Sequence, residues 1–249
     1  MSNRRNFIKT ASAGAVALSI PSIVTSALAA SKPKKWELKK DDVILFQGDS
    51  ITDFFRKGDE KTPNTNGMLG VGYALLTAAD LLARYPEKNL KFYNRGVSGN
   101  KVYQLAERWD ADCLEIKPNV LSILVGVNDY WHTLFLNYKG TIDTYTSDYK
   151  KLLDRTLKAL PDVKLVIGEP FGVKGVKAVT DAWYPDFDKY RQAARDIASQ
   201  YNAVFIPYQS VFDKAQEAAP GSYWTPDGVH PSVAGAGLMA HAWLETVKG

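Results

Sequence analysis

At 249 residues and 45% apolar content, the chain can bury one large core, and it does not have the composition of a disordered chain. Its formal charge of +4 is misleading, because Arg4, Arg5 and Lys9 are the only charges before residue 30. Beyond them 28 basic residues face 27 acidic ones, a balance that offers no footing for a nucleic-acid partner.

Asn3-Arg4-Arg5-Asn6-Phe7-Ile8-Lys9 matches the twin-arginine signal pattern, with Asn3 where Ser or Thr is usual. An apolar stretch from Ala11 to Leu28 follows, and Ala27-Leu28-Ala29 supplies a small-x-small cleavage site. The Ser, Thr, Gly and Pro residues within that stretch make it too mild for a stable membrane span. Residues 1–29 are therefore expected to be a cleaved signal peptide, 30–42 a flexible lead-in and 43–249 a single domain. The destination is the periplasm or the extracellular space. Cys113 is the only cysteine, so no intrachain disulfide can form, and its amphipathic surroundings make it a small core residue.

The first strand is predicted over 43–47, emptying into Gly48-Asp49-Ser50-Ile51. Residues 54–70 read as a surface loop and 72–85 as a helix stopped by Pro86. A second strand over 90–94 leads into Arg95-Gly96-Val97-Ser98-Gly99-Asn100. A helix is expected over 102–116, then a central strand over 120–125. The stretch Gly126-Val127-Asn128-Asp129-Tyr130-Trp131-His132 reads as a loop. Further helices fall at 143–160, 187–201, 209–218 and 232–247, with strands at 163–167 and 203–206. Five alternations with connections too long for hairpins predict a parallel sheet with helices on both faces, a three-layer α/β/α sandwich.

A serine at the carboxyl end of a strand needs a base to become a nucleophile. Of three histidines, His230 stands in Asp227-Gly228-Val229-His230-Pro231. A carboxylate three residues earlier can hold the ring Nδ1 and leave Nε2 facing outward. His132 could line a site, whereas His241 reads as structural. Scattered histidines and the absence of a cysteine cluster argue against a metal, and no Gly-rich phosphate loop points to a nucleotide cofactor.

Gly48-Asp49-Ser50, Gly99, Gly126-x-Asn128-Asp129 and Asp227-x-x-His230 occur in this order, each after a strand or before the last helix. In that ordered set the chain resembles the SGNH/GDSL hydrolases across nearly all of residues 43–249, with Ile51 in place of the namesake leucine. The resemblance implies a flavodoxin-like sheet, Ser50 as nucleophile, His230 as general base and acid, and Asp227 as its orienting partner. It also implies an oxyanion hole made by the backbone N–H groups of Ser50 and Gly99 and the Asn128 side-chain amide. No cofactor is implied.

The family covers several ester substrates. Tyr130, Trp131, Trp183 and Trp224 fall in loops at the expected catalytic edge, as does Asp49, and aromatic faces stack on sugar rings. No apolar lid segment for a lipid chain is visible. An exported esterase removing O-acetyl groups from a carbohydrate, through an acyl-enzyme, is the expected activity. A lysophospholipase or general carboxylesterase, and a non-catalytic glycan-binding protein, stand as alternatives. Partners would be small-molecule or glycan esters, and the oligomeric state is not readable.

Overall fold

The computed structural model describes residues 19–28, 36–58 and 60–247. The twin-arginine pair Arg4–Arg5 and the cleavage site at Ala29 lie outside these residues. A short helix, α1 (Ile20–Leu28), comes first, and the sheet begins at β1 (Val43–Gly48). Then follow α2 (Ser50–Asp53), α3 (Tyr73–Arg84), β2 (Lys91–Asn94), α4 (Val102–Glu107) and β3 (Val120–Leu124). The second half comprises α5 (Val127–Phe135), α6 (Ile142–Ala159), β4 (Lys164–Gly168), α7 (Asp186–Gln200) and β5 (Val204–Ile206). Last are α8 (Tyr208–Ala215), α9 (Gly221–Trp224) and α10 (Val233–Val247).

The five strands are all parallel, in the order β2-β1-β3-β4-β5. β1 and β3 are buried almost throughout, as strands covered on both faces must be, which is why their sequences are apolar runs rather than alternations. α3, α8 and α10 pack together on one face and α4, α6 and α7 on the other. α1 lies outermost on α8 and α10, burying Ile23, Val24 and Leu28. α10 is apolar on nearly every side, and α3, α8, α9 and the sheet cover it apart from the side on which α1 lies. Among the described residues no helix is long and apolar enough to cross a membrane.

The chain runs outward from β1 to β2 and then returns past β1 to β3. The crevice between the carboxyl ends of β1 and β3 is thus the topological switch point, where sheets of this order bind ligands.

Two sequence expectations are corrected. Residues 127–135 are a helix rather than a loop, so Asn128, Trp131 and His132, spaced three and four apart, share one face. The helix expected over 102–116 ends at Glu107 and resumes as a wide π turn over Asp110–Leu114. That turn places Asp112 in the interior against Arg95 and Arg108.

Candidate active site

Gly48 ends β1 where a Cβ would lie 2.2 Å from the Leu124 carbonyl oxygen, so only glycine lets β1 leave the sheet beside β3. Asp49 caps α2, its Oδ1 accepting the Ile51 N–H at 3.0 Å. Ser50, first in α2, then sits at the crevice mouth. Its Oγ lies 2.8 Å from His230 Nε2, and His230 Nδ1 lies 2.6 Å from Asp227 Oδ2. The other Asp227 oxygen accepts the backbone N–H groups of Val229 at 2.9 Å and His230 at 2.7 Å, closing the turn around its own carboxylate.

Burial opposes the ionisation of Asp227, but the bonds from the His230 ring and the two backbone N–H groups outweigh it and hold the carboxyl down at about 2. The hydrogen bond to Asp227 in turn raises His230 above its usual range, against the effect of burial. With Nδ1 donating to a carboxylate, Nε2 presents its lone pair to the Ser50 hydroxyl, which can donate to it.

The loop carrying Gly99 is bound to this centre from beneath. Val97 N–H donates to Gly48 O at 3.1 Å and Ser98 Oγ to Asp53 Oδ2 at 2.5 Å. Gly99 takes φ +80°, and a Cβ there would meet nothing closer than His132 at 3.9 Å, so glycine is needed for the backbone conformation rather than for space. The Asn128 amide reaches the same loop, donating to Asn100 O at 3.3 Å. Behind the loop Arg95 and Arg108 converge on Asp112, with Arg108 Nη1 donating to Asp112 Oδ2 at 2.7 Å and Nε to Asn100 Oδ1 at 2.8 Å.

Asp49 and Asp129 are both buried, and burial pushes each up to about 7. Each uses Oδ1 to hold a backbone N–H, Asp129 taking that of Val102 at 3.2 Å. Asp49, expected at the substrate surface, is instead fully enclosed. The aromatic expectations are corrected likewise. Tyr130 and Trp183 pack edge to face in the core with Phe187, and Trp224 is buried with its Nε1 donating to Ala215 O at 3.0 Å. Trp131 alone of that set approaches the centre, its ring 6.5 Å from that of His230.

A pocket of about 490 Å³ opens beside Ser50 and His230, walled by Asp53, Phe54, Phe55, Pro226 and Pro231. The sequence reading missed Phe54 and Phe55, because an apolar pair at the start of a polar loop gives no sign that it faces a site. A cavity of similar size near Trp36 and Lys164 lies by the start of β4 and holds no serine–histidine pair. Among the described residues no group of three or more His, Cys, Asp or Glu side chains is placed to hold a metal ion.

The sequence profile of the GDSL-like Lipase/Acylhydrolase family matches residues 46–238. An acetylxylan esterase of Geobacillus stearothermophilus is 34% identical over 206 residues, which cover 82% of this chain and 93% of that protein. The fold is similar to a crystal structure from Parabacteroides merdae, described as a GDSL-like lipase. The TM-score is 0.84 and the identity 51%, over 86% of this chain and 98% of the other. A crystal structure of the Geobacillus acetylxylan esterase superposes with a TM-score of 0.76 at 30% identity, over 85% of this chain and 96% of the other. Crystal structures of that esterase described as catalytic mutants replace a serine, an aspartate and a histidine by alanine.

Proposed function

We propose that this chain, which belongs to the GDSL-like lipase/acylhydrolase family and hydrolyses carboxylic ester bonds, removes acetyl groups from a carbohydrate by way of an acyl-enzyme. The observation that carries the mechanism is the hydrogen-bonded chain from Ser50 Oγ through His230 to Asp227. The acetyl and carbohydrate reading is supported by the likeness to an acetylxylan esterase over 93% of that protein's length.

Ser50 Oγ attacks the ester carbonyl carbon while its proton passes to His230 Nε2. The developing oxyanion accepts hydrogen bonds from the Ser50 and Gly99 N–H groups and from the Asn128 amide, donors that are neutral and have no proton to lose. As the tetrahedral adduct collapses, the imidazolium gives its proton to the departing sugar oxygen, and Asp227 stabilises the charge meanwhile. Water then attacks the acetyl-serine, His230 takes its proton, and a second collapse returns Ser50 and releases acetate.

Export rests on Arg4-Arg5 and the Ala27-Leu28-Ala29 site, with cleavage after Ala29; the mass of the protein recovered outside the cytoplasm tests it. For the activity, the test is the rate on 4-nitrophenyl esters from C2 to C12, followed by acetate release from acetylated xylan. The expected outcome is a maximum at C2 and release from the glycan. A maximum at C8 or longer would favour the lysophospholipase or general carboxylesterase reading, for which the apolar wall of the pocket leaves room.

A further inference from the structure

The pocket beside Ser50 is much larger than an acetyl group, and one wall of it adopts a conformation that its own residues disfavour. Phe54 and Phe55 are consecutive and both left-handed, with φ of 36° and 62°. Bulky side chains avoid that region, and such a pair persists only where its surroundings impose it. Here they do. Phe54 N–H donates to Ser50 O at 3.0 Å, and its carbonyl accepts from Val71 N–H at 2.9 Å. The buried Asn94 amide binds Thr52 O at 2.6 Å and Leu69 O at 3.0 Å, tying the two chain segments together. Arg56 Nη2 donates to Gly96 O at 3.2 Å. The segments come so close that a Cβ on Gly96 would lie 2.4 Å from the Asp53 nitrogen, and one on Gly70 2.8 Å from the Phe54 carbonyl oxygen.

The outcome of this constraint is the position of Phe55. Phe55 is 76% exposed, its ring edge-on to Phe54 at 5.6 Å, in the wall of the pocket that holds Ser50 and His230. So exposed a ring adds little to the core, so packing does not account for the conformation. His230, which must protonate the departing oxygen, lines this pocket together with Pro226 and Pro231, whereas Asn128 on the oxyanion side does not. The space therefore extends from the leaving-alcohol side of the reacting carbon. Its other wall carries Asp53 and Ser98, a carboxylate and a hydroxyl that suit sugar hydroxyls and would desolvate at a cost against an alkyl chain.

We propose that Phe55 is the stacking platform for the sugar ring that bears the scissile acetyl group, and so determines specificity on the alcohol side. This rests on the carbohydrate-deacetylase reading above.

The test compares wild type with Phe55→Gly and Phe55→Ala on three esters, an acetylated xylo-oligosaccharide, ethyl acetate and ethyl octanoate, with Tm measured for each protein. Both variants should lower the ratio of kcat/KM on the oligosaccharide to that on ethyl acetate by about tenfold, mostly through KM. Phe55→Gly should do so with a Tm at or above that of wild type, because glycine accepts φ 62° freely. An unaltered ratio overturns the proposal. So does an octanoate-to-acetate ratio that falls as far, which would place the ring against an acyl chain, or an equal loss on all three esters with lowered Tm, which would make its role structural. Wild type that cleaves ethyl acetate but not the oligosaccharide overturns the carbohydrate reading itself, before any variant is compared.

Discussion

Ser50 and His230 meet at 2.8 Å, yet their side chains are aimed by different means. Ser50 sits on a deep foundation: Gly48 against β3, buried Asn94, and the Arg95–Arg108–Asp112 cluster that fixes the neighbouring loop. The His230 ring is fixed by one side chain, Asp227, three residues away, within a turn that is docked on residues 173–179 by Val173 N–H donating to Gly228 O at 2.8 Å and Ala178 N–H to Asp227 O at 3.0 Å. The proposed nucleophile is placed by the packing of its strand and loop, whereas the ring of the proposed base is aimed by a single carboxylate in its own turn. Substitutions in the foundation of Ser50 should therefore show as loss of stability, and removal of the Asp227 carboxylate as loss of rate.

The sharpest test of this contrast is at the meeting point. Ser50→Ala should lower turnover of 4-nitrophenyl acetate by on the order of 10⁶-fold with Tm kept, and retained turnover would move the nucleophile elsewhere. Asp227→Asn should cost about 10⁴-fold in kcat with little effect on KM, because the ring loses the partner that fixes its tautomer. The pH profile adds a second readout. His230 must be neutral to act as base and Asp227 raises its pKa, so wild-type activity should climb with pH through a midpoint above 6.5. In Asp227→Asn that midpoint should move to lower pH.

On the Ser50 side, Asp112→Ala leaves the buried Arg95 and the part-buried Arg108 guanidinium groups facing each other and should cost about 3–5 kcal/mol in urea unfolding, before any kinetic defect is measured. A variant that kept its stability but lost its rate would break the contrast. The smallest effect is expected at Asp129. Its folded pKa, about 7, lies above the ordinary value of 3.8, so its favourable contribution is full below pH 4 and is lost as pH rises toward and through 7. Asp129→Asn removes that loss. Relative to wild type it should gain about 2–3 kcal/mol more at pH 8 than at pH 5, read from paired thermal denaturations.

The same contrast explains what was legible in the sequence. The strands announce themselves because buried parallel strands must be apolar, and the site motifs because glycine, serine and asparagine mark the turns after them. Asp227 and His230 are legible together because their interaction is local. α5 is not, since Val-Asn-Asp-Tyr-Trp-His lacks an aliphatic stripe and its helical face is used for the site. Tyr130, Trp183 and Trp224 show the limit of composition: a ring's presence in a loop does not say whether it faces in or out. Phe54 and Phe55 are the converse, left-handed only because Gly70, Gly96 and Asn94 lie far along the chain and close in space.

The spacing of the reacting pair also orders events in time. Ser50 and His230 are 180 residues apart, so at synthesis rates of 5–20 residues per second Ser50 leaves the ribosome roughly 10–40 seconds before His230. Until the Asp227–His230 turn docks beside Ser50, its hydroxyl has no base, and on the mechanism proposed above the nascent chain cannot cleave esters. Closing so long a loop is costly to do early, so recovered activity on refolding should lag behind recovered helicity.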